Sequence, residues 1–290
     1  MAKAALLLML MSLASVCCSQ GTDAHLVAAK PAIEVFVDAT AKHGVLANPD
    51  PSKLTITVDG KPAQLLSSRP AKEDKLLFAL MVDISSSGRT EQEAIKDAAA
   101  KIFQALSSEK SQGYLVLFNV QTFSTKKPVS PSEAQLILDH VSFSRGTSLY
   151  DSVAEMASSI LSRSANPDTP RRLIIVLSDG NDNYSKITAD AMVATVQREG
   201  VPVFFLAQSS PNPSHSVMYV SEQFGLDTGG AAVKVDSMPD GVPALIAAVQ
   251  GQLELTITSQ QVARGGLHSL SVKSSEKGIS IAAPARIFVP

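Results

Sequence analysis

Cysteine is nearly missing from this chain. There are two, Cys17 and Cys18, side by side at the end of an apolar stretch. From Ser19 onward there is none. That excludes disulfides and thiolate-bound metals from the body of the protein, unless one cysteine stays at a processed N-terminus. Histidine is sparse too. His25, His43, His140, His215 and His268 are scattered without the spacing of a zinc site. No run of like charge occurs, and the formal net charge is -2, so the basic stripe of an electrostatic nucleic-acid binder is absent. Neither a P-loop nor a Gly-x-Ser-x-Gly elbow is found. No apolar run is long enough to be a comfortable membrane span, so no transmembrane segment is expected in the mature chain.

What the chain does have begins at its N-terminus. MAKAALLLMLMSLASVCCSQ has a positive start at Lys3, an apolar stretch from Ala4 to Val16, and small residues after it. That is the form of a secretory signal, so residues 1–19 are expected to be removed near Ser19. A lipid-anchored form at Cys17 or Cys18 is one alternative, although bacterial lipidation prefers a small residue where Val16 stands. An uncleaved N-terminal helix is the other. Export without disulfides suggests a bacterial envelope protein, periplasmic or secreted.

Apolar residues make up 45% of the sequence, enough to bury a sizeable core in a chain of 290 residues. Ile33-Glu34-Val35-Phe36-Val37 and Leu54-Thr55-Ile56-Thr57-Val58 alternate like half-buried strands. Asp59-Gly60 after the second is a hairpin signal. The middle of the chain changes character. Continuous apolar runs at 76–82, 114–118, 173–177 and 201–207, with a weaker one at 231–235, suit strands covered on both faces. Helical patterns separate them. Thr90-x-x-Glu93, Ser130-Pro131-Ser132-Glu133, Ser148-x-x-Asp151 and Thr188 are the expected helix starts, and Gly200 is an expected stop. Another helix is expected over 240–250.

Strand alternating with helix predicts an α/β fold: a doubly wound, mainly parallel sheet with helices on both faces, Rossmann-like. We expect a tether and β segment over 20–73, the α/β domain over 74–249, and a C-terminal β segment over 250–290. The two β segments are each too short to be stable alone, so they are expected to pair into one small module.

Ligands of an open α/β sheet bind outside the carboxyl ends of its strands. The first apolar run ends in Asp83-Ile84-Ser85-Ser86-Ser87. The 173–177 run ends in Ser178-Asp179-Gly180-Asn181-Asp182. Between them lies Gly146-Thr147-Ser148-Leu149-Tyr150-Asp151. All three clusters offer hard oxygens and no soft ligands, which points to Mg²⁺, Mn²⁺ or Ca²⁺. In an extended segment alternate side chains share a face, so Asp83, Ser85 and Ser87 converge and Ser86 points away. A cation held by hydroxyls and few carboxylates attracts an external carboxylate.

These three segments, in this order, resemble the metal-ion-dependent adhesion site of the von Willebrand factor type A domain. The resemblance covers about 75–249. It implies that Asp83, Ser85, Ser87, Thr147 and Asp179 surround Mg²⁺ (or Mn²⁺, with Ca²⁺ less expected), some through water. It also implies a protein partner presenting an Asp or Glu carboxylate, no catalysis, and a C-terminal helix able to shift. The flanks resemble an exported subgroup of the family common in acidobacteria, in which a strand pair with a DG turn precedes the domain and a short β tail ends the chain. Gly146, Ser148, Asn181 and Asp182 are the expected partner-binding rim. Asp151 is expected to cap a helix and Tyr150 to pack. The Asn183-Tyr184-Ser185 sequon is read as chance. Two rival functions stay open. One is a structural envelope protein with a vestigial metal site that binds through its β module. The other is a metal-dependent phosphohydrolase built on Asp83.

Overall fold

The computed structural model describes residues 32–41, 47–163, 170–208, 223–259 and 262–289. The expected signal segment, both cysteines, His25, His43 and His215 lie outside these residues. In chain order the strands and helices begin with β1 (Ile33–Thr40), β2 (Leu54–Val58), β3 (Lys61–Pro62), β4 (Gln64–Pro70) and β5 (Leu76–Asp83). There follow α1 (Gln92–Leu106), β6 (Ser111–Phe118), β7 (Thr122–Ser124), α2 (Pro131–His140) and α3 (Leu149–Ser158). Next come β8 (Arg171–Ser178), α4 (Ala189–Glu199), β9 (Val203–Gln208), β10 (Ala232–Val235) and α5 (Met238–Gly251). The chain closes with β11 (Leu253–Thr258), β12 (Gly266–Ser274), β13 (Ser280–Ala282) and β14 (Arg286–Val289).

The central sheet has the order β10-β9-β8-β5-β6-β7, parallel except for β7 at the edge. Its middle strand, β5, is apolar without a break because both faces are covered. Phe78, Leu80 and Val82 pack on one side with residues of α1, α2 and α5. Ala79 and Met81 pack on the other with residues of α3 and α4. Phe78 meets Phe103 of α1 edge-on, ring centroids 5.2 Å apart. This is the mixed α/β, parallel-rich architecture expected from the alternating runs.

Most helix starts follow local chemistry. Ser130 and Glu133 form a reciprocal capping box with Pro131 at the first helical position of α2. Thr188 accepts from Ala191 N–H at the start of α4, and Gly200 ends that helix at φ 65°. Two expected starts differ. Thr90-x-x-Glu93 does not cap α1, because Ser86–Glu91 forms a 3₁₀ segment and α1 begins only at Gln92. Ser148 makes no side-chain cap for α3. That role falls to a residue far along the chain, described below.

Strands before and after the α/β unit build two further sheets, β13-β1-β11-β4 and β14-β12-β2-β3. Their inner faces share one core, in which Val35, Val37, Val58, Leu255, Ile257 and Val272 are buried. The α/β unit is therefore inserted between β4 and β11. Its entry and exit lie together: Pro70 stands opposite Leu253, and Ala71 N–H donates to Gln252 O at 2.9 Å. Asp59, at φ 50°, and Gly60, at φ 71°, turn the β2–β3 hairpin. His268 Nδ1 lies 2.7 Å from Asp59 Oδ2 there.

A charged cluster sits at the seam between the two units. The Arg171 guanidinium, at the start of β8, donates to Val249 O at 2.9 Å and Gln252 Oε1 at 2.6 Å, and lies 5.4 Å from the Phe36 ring centroid. Burial pushes Arg171 down to about 10, opposed by Asp38, Asp74 and Glu254. Asp38 on β1 is buried beside it, and burial pushes its carboxyl up to about 7 against the pull of Arg171 and Gln252. Arg69 bridges Asp74 and Glu254. No helix among the described residues is long and apolar enough to cross a membrane.

Candidate functional site

The chain builds β5, then β6 on one side, then crosses to lay β8 on the other. The switch point is the carboxyl end of the β5–β8 pair, where an open α/β sheet leaves a crevice. Asp83 ends β5 there, and Ser178 ends β8. Ser178 Oγ donates to Asp83 Oδ2 at 2.6 Å. Asp83 Oδ1 accepts from Ser85 N–H at 2.9 Å. The carboxyl group is buried, and burial pushes it up to about 6. The hydrogen bonds from Ser178 and Ser85 pull it down, while the charge of Asp179 pushes it further up. A carboxylate held this way needs a positive counter-charge to ionise comfortably.

Ser85 and Ser87 converge, with their hydroxyl oxygens 3.0 Å apart. Extended alternation is not the cause. Ser85 is extended (φ -71°, ψ 168°), but the chain then winds into the 3₁₀ segment, which folds Ser87 back toward Ser85. Ser86 and Ser87 are exposed, whereas Ser85 is buried.

The third segment is pinned to the first by backbone. Ser144 N–H donates to Ile84 O at 2.8 Å, and Ser86 N–H to Arg145 O at 2.9 Å. Thr147 follows, buried. Its N–H donates to Asn183 Oδ1 at 2.9 Å, and its carbonyl accepts from the N–H groups of Asn183 and Tyr184. Its hydroxyl is left without a hydrogen bond among the described residues. Asp179 is half-buried, and its Oδ1 accepts from Asn181 N–H at 2.9 Å.

Asp83, Ser85, Ser87, Thr147 and Asp179 thus lie on three segments tied together at one edge of the sheet. The set offers two carboxylates and three neutral hydroxyls. No group of three or more His, Cys, Asp or Glu side chains that could hold a metal ion occurs among the described residues, here or elsewhere, so this set relies on hydroxyls. Such a donor set fits a hard divalent cation and is too poor in nitrogen and sulfur for a soft one.

Two residues of the expected rim make internal contacts. Asp182 is half-buried. Its Oδ2 accepts from Tyr150 N–H at 2.9 Å and Ser185 Oγ at 2.6 Å, so it caps the start of α3. Ser148 is buried, its N–H donated to Asn119 O. Asp151 accepts from Lys186 and Ile187 N–H, so it caps the opposite loop in return. Gly146 is half-buried under the Tyr184 ring, into which an added Cβ would run. Asn181 is exposed. Tyr150 packs in the core.

Sequence reasoning missed two residues. Ser178 carried a signal, since it is the last residue of an apolar strand and stands next to Asp179. Tyr184, 61% exposed, carried none beyond an unexplained aromatic in a polar loop.

The sequence profile of the von Willebrand factor type A domain matches residues 79–230, over half of the chain. A search of curated proteins gave no match. Among solved structures, proximal thread matrix protein 1 from the mussel byssus is 15% identical with a TM-score of 0.50, over 60% of this chain and 48% of that one. The same mussel protein with a zinc-occupied MIDAS motif is 12% identical with a TM-score of 0.50, over 67% and 49%. A von Willebrand factor type A protein from Catenulispora acidiphila is 10% identical with a TM-score of 0.49, over 90% and 74%. This chain spans about half the length of the mussel protein. At these identities the likeness is one of fold.

Proposed function

Since the chain belongs to the von Willebrand factor type A domain family, we propose that it is an interaction module rather than an enzyme. In this reading Asp83, Ser85, Ser87, Thr147 and Asp179 hold a divalent cation, Mg²⁺ or Mn²⁺, and the site captures an Asp or Glu carboxylate of a protein partner. Adhesion or assembly in a bacterial envelope is the setting that the N-terminal sequence suggests. The cation, when bound, supplies the positive charge that draws the partner's carboxylate.

The chain's own residues do the rest. Ser178 and Ser85 N–H orient the buried Asp83 carboxylate. The 3₁₀ segment presents the Ser85 and Ser87 hydroxyls together. The Asn183 clamp holds Thr147 in place. The observation that carries the reading is this convergence of hydroxyls beside a buried carboxylate at the switch point. A phosphohydrolase would need a general base aimed at an attacking water, and within Asp83-x-Ser85-x-Ser87 the serines stand where that group is expected.

Calorimetric titration of the EDTA-treated protein with Mg²⁺ and Mn²⁺ tests this, with Asp83→Ala, checked for folding, run beside it. One site in the wild type and none in the variant is the expected result. Identical heats for both proteins, or none for either in the presence of a carboxylate-bearing peptide, would refute it.

A further inference from the structure

Arg145 is exposed and adopts φ 69°. Among the described residues the only other non-glycine at positive φ is Asp59, in a hairpin turn that suits it. Arginine has no local reason to prefer this conformation, and a glycine would hold it with less strain. The conformation is enforced, because Arg145 O accepts from Ser86 N–H and the preceding Ser144 N–H is tied to Ile84 O. The guanidinium makes no ion pair or hydrogen bond among the described residues. Its neighbour Gly146 is roofed by the Tyr184 ring, and the next residue is Thr147. Tyr184 is in turn fixed by its N–H to Thr147 O at 3.0 Å. Arg145 thus stands two residues before Thr147, and the Tyr184 ring covers the glycine between them.

The Asp182 and Asp151 carboxylates accept from backbone N–H groups of these loops, and Glu91 accepts from Gln208. Arg89, also exposed, donates to Phe143 O. Arg145 is thus an exposed cation of the loop that carries Thr147, and its guanidinium is not engaged within the described residues.

We propose that Arg145 and Tyr184 form the selective rim of the site. They would favour an acidic peptide segment, with one carboxylate for the cation position, a second for Arg145, and an apolar or aromatic side chain laid on Tyr184. This rests on the cation-site reading above and adds the kind of partner it fits. Strain at Arg145 is explained by it, since the side chain serves binding at the expense of backbone comfort.

The test uses labelled synthetic peptides and fluorescence anisotropy on the mature chain, in Mg²⁺ and after EDTA. One peptide carries a single Asp among glycines. A second adds another Asp one to three residues away, and a third adds a tyrosine as well. Wild type should prefer the two-acid peptide by about fivefold, the range of an exposed charge pair. Arg145→Gly should bring that ratio near one without lowering the melting temperature. Tyr184→Ala should remove the gain from the added tyrosine, about threefold to tenfold. If wild type binds the single-acid peptide with Mg²⁺ yet shows no preference, or if Arg145→Gly and Tyr184→Ala keep the wild-type preferences, the rim is overturned and the cation site stands. If no peptide binds in a Mg²⁺-dependent way, the cation-site reading fails and the rim fails with it.

Discussion

Ser178 shows how much a single hydroxyl settles at the switch point. It donates to Asp83 Oδ2 while accepting from Gly180 N–H, so one side chain orients the carboxylate and starts the following loop. Ser178→Ala leaves a buried carboxylate oxygen unpaired, which costs about 1–3 kcal/mol. Urea unfolding should show that loss, and calorimetry should show weaker Mg²⁺ uptake. Unchanged stability would mean that Asp83 finds another donor. At this scale the sequence was informative where function is local. Asp83, Ser85 and Ser87 fall within five residues, so their convergence could be anticipated, although a 3₁₀ turn and not strand alternation produces it. Asp182 could not be read, because its partner Tyr150 N–H is 32 positions away. A loop carboxylate looks the same in sequence whether it awaits a ligand or caps a distant helix.

Elements were legible in proportion to how deeply they are buried. The long apolar runs became β5, β6, β8 and β9, whose burial on both faces leaves no alternation to confuse the reading. Leu80, wholly buried in the middle of β5, should cost about 2–5 kcal/mol when cut to alanine, measured as a fall in the urea midpoint with unchanged slope. Polar edge strands gave no such signal. Most of β4 is exposed, its sequence QLLSSRP shows no strand alternation of its own, and its strand character comes from β11 beside it. β7 has three residues. Caps divide along the same line. The α2 box is contained in four consecutive residues and was visible, and Ser130→Ala should cost about 1 kcal/mol in thermal unfolding. The start of α1 was displaced, because residues 86–91 are wound into the site instead.

The whole molecule is joined by the buried cluster at the seam. Asp38 holds its proton up to about pH 7 when folded and gives it up near 3.8 when unfolded. Between those values the folded state binds more protons, so this group takes stability away as pH rises from about 4 to about 7. The full effect is on the order of 4 kcal/mol. Asp38→Asn should therefore gain stability relative to wild type across that window and stay level above it. A difference in melting temperature that is flat with pH would sink this assignment. Arg171→Leu is expected to cost about 3–5 kcal/mol, since it strands Asp38 and Gln252 without their partner. Adding Asp38→Asn should recover part of that loss, a coupling that a double-mutant cycle reads directly. The doubly wound class was legible in the sequence, because it follows from the order of runs and helices. The charged seam was not, since Arg171, Asp38 and Gln252 lie scattered along the chain.

The paired entry and exit also decide how the molecule bears a pull. A force applied at the carboxyl edge of the central sheet leaves that unit along the chain through two covalent connections, the end of β4 and the start of β11. These lie side by side, at Pro70 and Leu253, and the force runs lengthwise along both strands. β11 is gripped by β1 over five facing positions, Ile33–Val37 against Ile257–Leu253. A lengthwise tug strains the hydrogen bonds of that ladder together, in shear, instead of peeling them open one after another. The insertion point would thus resist a pull on the proposed binding face in the manner of a mechanical grip.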